Sequence, residues 1–182
     1  MPQWQKKRLG DVSVINELSY VTSEAWKFVN YLDTGNITEN KIESIQHIDL
    51  SVEKLPSRAR RKVRHNSIIY STVRPNQRHY GIIKKQPDNF LVSTGFAVID
   101  VNCKIADADF MYYLLTKSTV VNRLQAVAEQ STSAYPSVKA SDIENLELLL
   151  PDLSTQKKIG SLLACIDEKI ANNAAINKNL AA

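Results

Sequence analysis

Residues 149–170, LLPDLSTQKKIGSLLACIDEKI, contain a junction at which the pattern of the chain changes. The short apolar run before the junction, residues 143–150, ends at Pro151 and indicates a strand. Beyond Pro151 there is no further proline, and Gly160 is the only glycine, so the chain can continue as one long helix. The junction therefore predicts two parts: a globular domain, residues 1–152, and a terminal helix, residues 153–182.

The terminal helix carries the repeat of a coiled coil, in which apolar or asparagine side chains recur at alternating spacings of four and three residues. We call these positions the seam, and they are Ile159, Leu163, Ile166, Ile170, Asn173, Asn177 and Leu180. Asparagine in a seam fixes register or partner at a cost in stability. The repeat leaves three partners open: the chain's own domain, a second copy or another protein. An ordinary amphipathic helix docked on its own domain fits equally well.

The globular part is expected to form strands first and helices later. Residues 96–101 are the clearest strand, and residues 12–15, 28–32, 67–73, 81–83 and 90–92 are also rich in β-forming side chains. Residues 54–64 are expected to form a polar connection. The predicted fold class is mixed α/β (α+β), a strand-rich domain followed by one long coiled-coil helix.

One long helix is predicted within the domain before the chain returns to the strand at residues 143–150. Asp107 or Asp109 would cap this helix, which would run to about Val127. Its apolar stripe comprises Phe110, Tyr113 or Leu114, Val120 or Val121, Leu124 and Val127.

The net charge of +4 is modest, but the cations are unevenly distributed. Residues 54–85 carry ten Lys or Arg and no Asp or Glu, whereas the rest of the chain carries 13 basic and 19 acidic residues. Solubility does not require this segregation, and a phosphate backbone would favour it. The same stretch contains side chains that stack on bases or hydrogen-bond to them: Tyr70, Asn76, Gln77, His79 and Tyr80. This favours nucleic acid as the partner over a merely solvated basic face.

We expect this basic stretch to face DNA. Phosphate contacts are expected mainly from Arg58, Arg60, Arg61, Lys62 and Arg64, with Lys84 as a further contact. Base contacts are expected from Arg74, Asn76, Arg78 and His79, which follow a predicted strand. A second contact surface is predicted at Ser131, Ser133, Tyr135 and Lys139. Surface solvation is the alternative for each of these residues.

Catalytic and cofactor-binding motifs are missing from the sequence. The five glycines are isolated, so there is neither a glycine-rich cofactor loop nor a G-x-x-x-x-G-K phosphate loop. There is also no Asn-Pro-Pro-Tyr or Asp-Pro-Pro-Tyr tetrapeptide of the amino-methylating enzymes. Asp33 with Glu39-Asn40-Lys41 is the nearest approach to a metal-dependent nuclease. We therefore expect a binding protein without a cofactor, not an enzyme.

Metal and membrane sites are not expected either. Cys103 and Cys165 are far apart and match no metal or redox spacing, and the three histidines add no ligand cluster. Two unpaired thiols are typical of a reducing compartment. No apolar run approaches the roughly 18 residues of a membrane span. The expected location is the cytoplasm.

Several stretches together resemble the target-recognition domain of the specificity subunits of type I restriction-modification systems. The resemblance rests on Trp4 with KRLGD (7–11), YLDTGNI (31–37), HNSIIYSTVRP (65–75), STGF (93–96), residues 130–138 with Ser133, Tyr135 and Pro136, and LLPDL (149–153). QKKI (156–159), Leu163 and IDEKI (166–170) resemble the start of the family's conserved spacer helix. His65-Asn66 stands where Gly-Asp is more usual. The order of these pieces spans nearly the whole chain.

The resemblance implies a subunit that recognises DNA while separate methyltransferase (modification) and restriction subunits methylate and cleave it. A full specificity subunit typically has two recognition domains joined by two long helices, which act as a ruler for a bipartite target with a fixed gap. This sequence has one domain and one helix, as expected of either a natural half-subunit or a fragment. Half-subunits that dimerise through the helix would recognise a two-fold symmetric split site.

Two other functions compete with DNA recognition. An adaptor would use the terminal helix to bind another subunit without touching DNA, and the acidic remainder of the chain and the seam favour it. A small nuclease would depend on Asp33 and Glu39, and no other feature of the sequence supports it.

Overall fold

Two four-stranded sheets form the middle of the domain in the computed structural model, which describes residues 3–131 and 135–180. The first sheet has the order β6 (Gln46–Asp49), β3 (Phe28–Leu32), β10 (Phe90–Ser93) and β7 (Ala59–Lys62). The second has the order β2 (Ser13–Ile15), β11 (Phe96–Val101), β8 (Ile68–Ser71) and β9 (Tyr80–Ile82). Two short antiparallel pairs accompany them: β1 (Gln5–Arg8) with β12 (Glu147–Leu150), and β4 (Ile37–Thr38) with β5 (Lys41–Ile42).

Strand β11 lies at the centre of the core because both of its faces are covered. Its successive side chains point to opposite faces. Phe96 and Val98 belong to the apolar cluster between the two sheets, whereas Ala97 and Ile99 belong to the cluster beneath the helices. All four are at most 1% exposed. Burial of each large apolar side chain contributes roughly 1.5–3 kcal/mol to folding, so this strand ties the two sheets and the helical layer together.

The described residues contain four α-helices, namely α1 (Ala108–Leu115), α2 (Ser118–Glu129), α3 (Ala140–Glu144) and α4 (Leu153–Leu180). Of the two candidate caps, Asp107 is the one that caps α1, because its carboxylate accepts a hydrogen bond of 2.9 Å from the Phe110 N–H. The prediction of one continuous helix to about Val127 is wrong. The Thr116 hydroxyl donates to the Tyr112 carbonyl at 2.9 Å, and Lys117 has a non-helical ψ of 139°, so the chain breaks between α1 and α2.

The strands predicted at residues 28–32 and 96–101 are confirmed with those bounds. The prediction of a polar connection over residues 54–64 is wrong in part, because β7 lies within it. Only Ala59 among the four residues of β7 is apolar, so the alternation that identifies a strand is missing. Strand β7 is fixed by antiparallel pairing with β10 on one side and by a 2.8 Å hydrogen bond from the Tyr20 N–H to the Arg60 carbonyl on the other.

The predicted long terminal helix is confirmed as α4. Asp152 stabilises its first turn, since the Asp152 carboxylate accepts hydrogen bonds from the backbone N–H and the hydroxyl of Thr155 at 2.9 and 2.7 Å. Within residues 3–131 and 135–180, no helix combines the length and the apolar character that a membrane span requires.

Candidate nucleic-acid interface

Six strands of the two sheets begin or end at one edge of the domain, which we call the loop edge. Strands β3, β8 and β10 end there, and β7, β9 and β11 begin there, because Ser93 is paired with Ala59, and Ser71 with Phe96. The loop edge comprises residues 33–36, 56–58, 72–79, 94–95 and 135–138. Four backbone hydrogen bonds of 2.8–2.9 Å join these loops: Thr94 N–H to Arg58, Thr72 N–H to Gly95, Arg74 N–H to Pro136 and Val138 N–H to Thr72. Segments distant in sequence therefore form one surface.

The loop between β8 and β9 has a backbone that is held in an unusual conformation. Its centre is a 3-10 turn, Pro75–Gln77, flanked by Arg74 and Arg78 with φ of 47° and 57°. Non-glycine residues rarely adopt this left-handed region, and they persist there only when the surroundings enforce it. Helix α2 supplies one such support. The Asn76 N–H donates to Gln125 Oε1 at 3.2 Å, and Gln125 Nε2 donates to Glu129 at 2.9 Å.

Three side chains of this loop have defined partners or positions. The Arg74 guanidinium lies 5.3 Å from the ring centroid of Tyr135, a cation–π distance. Arg78 Nη1 contacts Glu39 Oε1 at 2.6 Å, and this hydrogen bond raises the pKa of Arg78. Asn76 is exposed. The loop thus presents two fixed guanidinium groups on either side of an exposed carboxamide.

His79 is half-buried behind the loop. Its Nδ1 lies 2.6 Å from the Ile37 carbonyl oxygen, which can only accept a hydrogen bond, so Nδ1 carries the proton. Nδ1 is also 3.3 Å from the Thr38 hydroxyl. Nε2 is then the ring nitrogen that can accept a hydrogen bond in the neutral side chain.

Arg58 crosses the turn between β10 and β11. A Cβ atom at Gly95 would overlap Arg58 Nη2 and would lie 2.9 Å from Thr34 Cγ2, so a larger residue there would displace this guanidinium. Asp33 lies in the adjacent loop and accepts a 2.8 Å hydrogen bond from the Thr34 N–H. Burial alone would raise the pKa of Asp33, but its hydrogen bonds to Thr34, Ser93 and Tyr31 and the charge of Arg58 together lower it. The carboxylate therefore stays ionised beside Arg58.

The other cations of the basic stretch lie elsewhere. Arg60, Arg61 and Lys62 lie on β7, and Lys62 is paired with Glu24 while its Nζ lies 5.1 Å from the centroid of Trp26. Arg61 is half-buried, and burial lowers its pKa. Arg64 and Lys84 lie beyond the opposite ends of the strands, where Arg64 is paired with Glu17 and Lys84 with Asp109. The stretch that is continuous in sequence is therefore divided between two edges of the domain.

The structure brings part of the predicted interface together. Six of the candidates lie at the loop edge: Arg58, Arg74, Asn76, Arg78, His79 and Tyr135. Lys139 is exposed directly after Val138, whereas Ser133 lies outside the described residues. Among the described residues, no Asp or Glu forms an ion pair with Arg58, Arg60 or Arg74.

Two tyrosines that the sequence suggests for base stacking are buried. Tyr70 and Tyr80 are 1% and 4% exposed, and their rings stack on each other with centroids 5.5 Å apart. Burial raises the pKa of Tyr70. Both rings belong to the core cluster beneath the helices, so that suggestion is wrong.

Sequence reasoning missed the two side chains that support the loop, Glu39 and Gln125. Gln125 lies on another element, 49 residues after Asn76, so no local spacing signals its role. Glu39, the carboxylate of the nuclease alternative, is the partner of Arg78. Residues 3–131 and 135–180 contain no group of three or more His, Cys, Asp or Glu placed to hold a metal ion. Cys103 and Cys165 are free thiols, as predicted.

The seam of α4 has two halves with different surroundings. Ile159 and Leu163 are half-buried beside α1, and Ile159 packs against the main core. The seam positions beyond them are exposed, with Ile166 at 45%, Ile170 at 61% and Leu180 at 81%. Only the first half of the seam is covered by the chain's own domain.

These features define a two-sheet α+β domain with a cationic loop edge and a projecting helix. Residues 1–182 match the family model of the type I restriction modification DNA specificity domain. The chain belongs to this family.

Comparisons with individual proteins agree with this family assignment. The specificity subunit of the type I restriction enzyme HindI from Haemophilus influenzae is 31% identical over 181 residues, which cover 99% of this chain and 39% of that protein. The crystal structure of the HsdS subunit from Thermoanaerobacter tengcongensis has a TM-score of 0.79 and 26% identity, covering 97% of this chain and 45% of that one.

Two further solved structures are similar. A chain from a structure on complex assembly and conformational transition of the type I R-M system has a TM-score of 0.79 and 28% identity, with coverage of 97% and 45%. The type I restriction-modification S subunit from M. genitalium, at 16% identity and a TM-score of 0.62 with coverage of 96% and 41%, shares the fold. This chain spans less than half the length of each relative.

Proposed function

We propose that this chain recognises a DNA sequence through its loop edge, as a recognition domain of a type I restriction-modification specificity subunit. The observation that carries the proposal is the clustering of Arg58, Arg74, Asn76 and Arg78 on one edge of a DNA specificity domain. Loops that are rigidly supported by sheets and helices are suited to hold side chains at the accuracy that base recognition requires.

The loop between β8 and β9 is the proposed base-contacting element. Arg74 and Arg78 carry the donors that pair with guanine, and Asn76 carries the donor and acceptor that pair with adenine. Each of these side chains projects from a backbone that is already fixed, so little conformational entropy is lost on binding. Arg58, Arg60 and Lys139 are the proposed phosphate contacts beside it. His79 would offer Nε2 as an acceptor.

Lys62, Arg64 and Lys84 have a smaller proposed role. Their charges are already compensated by Glu24, Glu17 and Asp109. A phosphate would have to replace an existing partner, so the gain in affinity would be less than for an unpaired cation. We assign these three side chains mainly to the structure of the domain.

Membership of the type I DNA specificity family implies the partners. A methyltransferase (modification) subunit and a restriction subunit would carry out methylation and cleavage at the site that this chain selects. The exposed half of the seam favours assembly through α4, either as a homodimer or with a second spacer helix. Two recognition domains joined in this way would bind a bipartite target in the cytoplasm.

Selection from a pool of randomised DNA duplexes tests the proposal, with the chain alone and with its methyltransferase subunit. We expect one motif to be enriched. Asn76→Ala and Arg78→Ala should each relax one base position at a cost of about 1–3 kcal/mol, whereas Arg58→Ala should weaken all sequences equally. Asn122→Ala, an exposed change on α2, is the control. Partner binding without enrichment in either setting would overturn DNA recognition in favour of an adaptor.

A further inference from the structure

The junction between the domain and α4 contains a buried carboxamide. Gln156, on the first turns of α4, is 2% exposed. Its Oε1 accepts a hydrogen bond from the Asp107 N–H at 3.1 Å, and its Nε2 donates to the Pro151 carbonyl at 2.8 Å. One side chain thus ties the start of α1, the end of β12 and α4 together. Buried polar groups of this kind are costly unless every bond is made, so they favour one geometry.

Gly160 brings the two helices into direct contact one turn further along. A Cβ atom there would lie 2.5 Å from Asp107 Oδ1 and 2.7 Å from the Phe110 backbone nitrogen. Neither atom can easily move, because Asp107 Oδ1 accepts the Phe110 N–H as the cap of α1. Glycine is a poor helix former, so its presence inside α4 requires a reason such as this close approach.

Tyr113 and Asp167 make a further contact between the two helices, a hydrogen bond of 2.8 Å from the Tyr113 hydroxyl to the Asp167 carboxylate. The order of the contacts, Gln156 with Asp107, Gly160 with Phe110 and Asp167 with Tyr113, shows that α1 and α4 run parallel. Residues 168–180 are all exposed. This free part of α4 is about 20 Å long at ~1.5 Å per residue.

A small change in the angle between α4 and the domain produces a large displacement at the far end of the helix. A tilt of about 10° would move the end of a 20 Å lever by about 3.5 Å, close to the ~3.4 Å between successive bases along a DNA strand. A helix that sets the distance between two recognition domains must therefore be fixed in direction as well as in length.

We propose that Gln156, Gly160 and the Tyr113–Asp167 pair, together called the elbow, fix the direction of α4 relative to the domain and thereby set the gap of a bipartite target. The claim about the gap rests on the proposed function, whereas the claim that the direction of α4 is fixed does not. None of the four residues lies at the loop edge, so they are positioning residues.

Distances between two spin labels test the fixed direction in the full chain. The exposed Cys103 carries one label, and Ala175→Cys in a Cys165→Ser background carries the other, with unlabelled protein added so that distances within one molecule are measured. The parent should give one narrow distribution. Gly160→Ala should shift or broaden it by about 3 Å, and Tyr113→Phe should broaden it. Ser161→Ala, an exposed change on the same helix, should leave it unchanged.

Gap selection in a randomised duplex pool gives the second measurement. The parent should enrich one gap length, whereas Gly160→Ala and Tyr113→Phe should enrich neighbouring gaps as well, with affinity for a single half-site within about twofold of the parent. A broad distance distribution in the parent would contradict the proposed role of the elbow. The same conclusion would follow if the variants gave the same distances and the same gap as the parent. If the parent enriches no motif, DNA recognition and the role of the elbow in setting the gap are both wrong. The spin-label distances alone then decide whether the elbow fixes the direction of α4.

Discussion

Arg78 shows how the surroundings of a cation determine where its charge is held. Its backbone has a positive φ, and its guanidinium is held by Glu39 from the segment between β4 and β5. The ion pair is exposed, so it adds little to stability. Its consequence is positional, because it restricts the directions in which the remaining donors of Arg78 can point.

Glu39→Gln is expected to loosen Arg78 and to add one uncompensated positive charge. Affinity for non-specific DNA should rise, and the slope of log K against log salt should become steeper by about 0.9 for one further phosphate contact. Discrimination between sequences should fall, since Arg78 would no longer be held. Titrations at several salt concentrations measure the slope. Glu43→Gln, an exposed change directly after β5, is the control, and equal slopes for both variants would contradict the assigned role of Glu39.

Asp33 makes the loop edge sensitive to acid. The pKa of Asp33 is lowered in the folded protein, because its hydrogen bonds and Arg58 outweigh the effect of burial. Its contribution to stability is therefore complete above the ordinary carboxyl value of about 3.9 and is lost as the pH falls through the lower folded value. Asp33→Asn should reduce the loss of stability as the pH falls below about 4. Urea unfolding at each pH measures the free energy of unfolding. If its pH dependence is the same in the variant and the parent, Asp33 does not cause the loss of stability in acid.

At the scale of secondary-structure elements, the sequence predicts the helices and strands whose pattern of apolar and polar residues reflects their own burial. Strand β11 and the cap at Asp107 are predictable because alternation and capping are local. Strand β7 is not predictable, since its three cations lack the apolar alternation of a strand. This edge strand forms because it pairs with β10. The break between α1 and α2 is also hidden, because Thr116 and Lys117 are compatible with a helix until tertiary packing selects another backbone.

The candidate site follows the same division. The residue types in the basic stretch could be predicted, but their separation between two edges could not, because it depends on which strand ends coincide. The partners of Lys62, Arg64, Arg78 and Lys84 come from segments at least 25 residues away in the chain, as with Glu24 and Asp109. Counting charges along the sequence therefore overestimated the charge that is available to phosphates.

Gln125→Ala is expected to release the loop between β8 and β9 from α2. The Asn76 N–H would lose its acceptor, a loss of about 1 kcal/mol for a neutral hydrogen bond. Amide hydrogen exchange at Asn76 should become about fivefold faster, since about 1 kcal/mol corresponds to that factor. Asn122→Ala on the exposed face of the same helix is the control. Unchanged protection of Asn76 would show that the positive φ values of Arg74 and Arg78 are maintained without α2.

At the scale of the whole molecule, cations and anions are distributed in a way that suits one-sided docking. The residues outside the basic stretch carry a net negative charge, whereas the loop edge carries three guanidinium groups and a single ion pair at Arg78. Such asymmetry orients a protein before contact with DNA and increases the rate of productive encounter. In the proposed function the helix would provide the second contact, so that recognition and assembly would occupy separate parts of the chain.

The exposed half of the seam predicts that the molecule assembles through α4. Ile166 and Ile170 lie on one face of the helix and are 45% and 61% exposed, so a second helix would bury both. Changing both to Asp would bury two carboxylates in that contact and should weaken it by more than about 100-fold, or roughly 3 kcal/mol. Light scattering over a range of concentrations should give a dimer for the parent and the 20.5 kDa monomer for the variant.

Asn172→Asp combined with Ala175→Asp places the same charge on the opposite face of α4 and should leave the dimer intact. If this control dissociates as well, net repulsion and not the seam explains the effect. If the parent is itself a monomer, self-association through α4 is wrong, and the exposed half of the seam must be covered by a helix of a different subunit. In that case the bipartite target would not be symmetric, because symmetry in the DNA site mirrors symmetry in the protein.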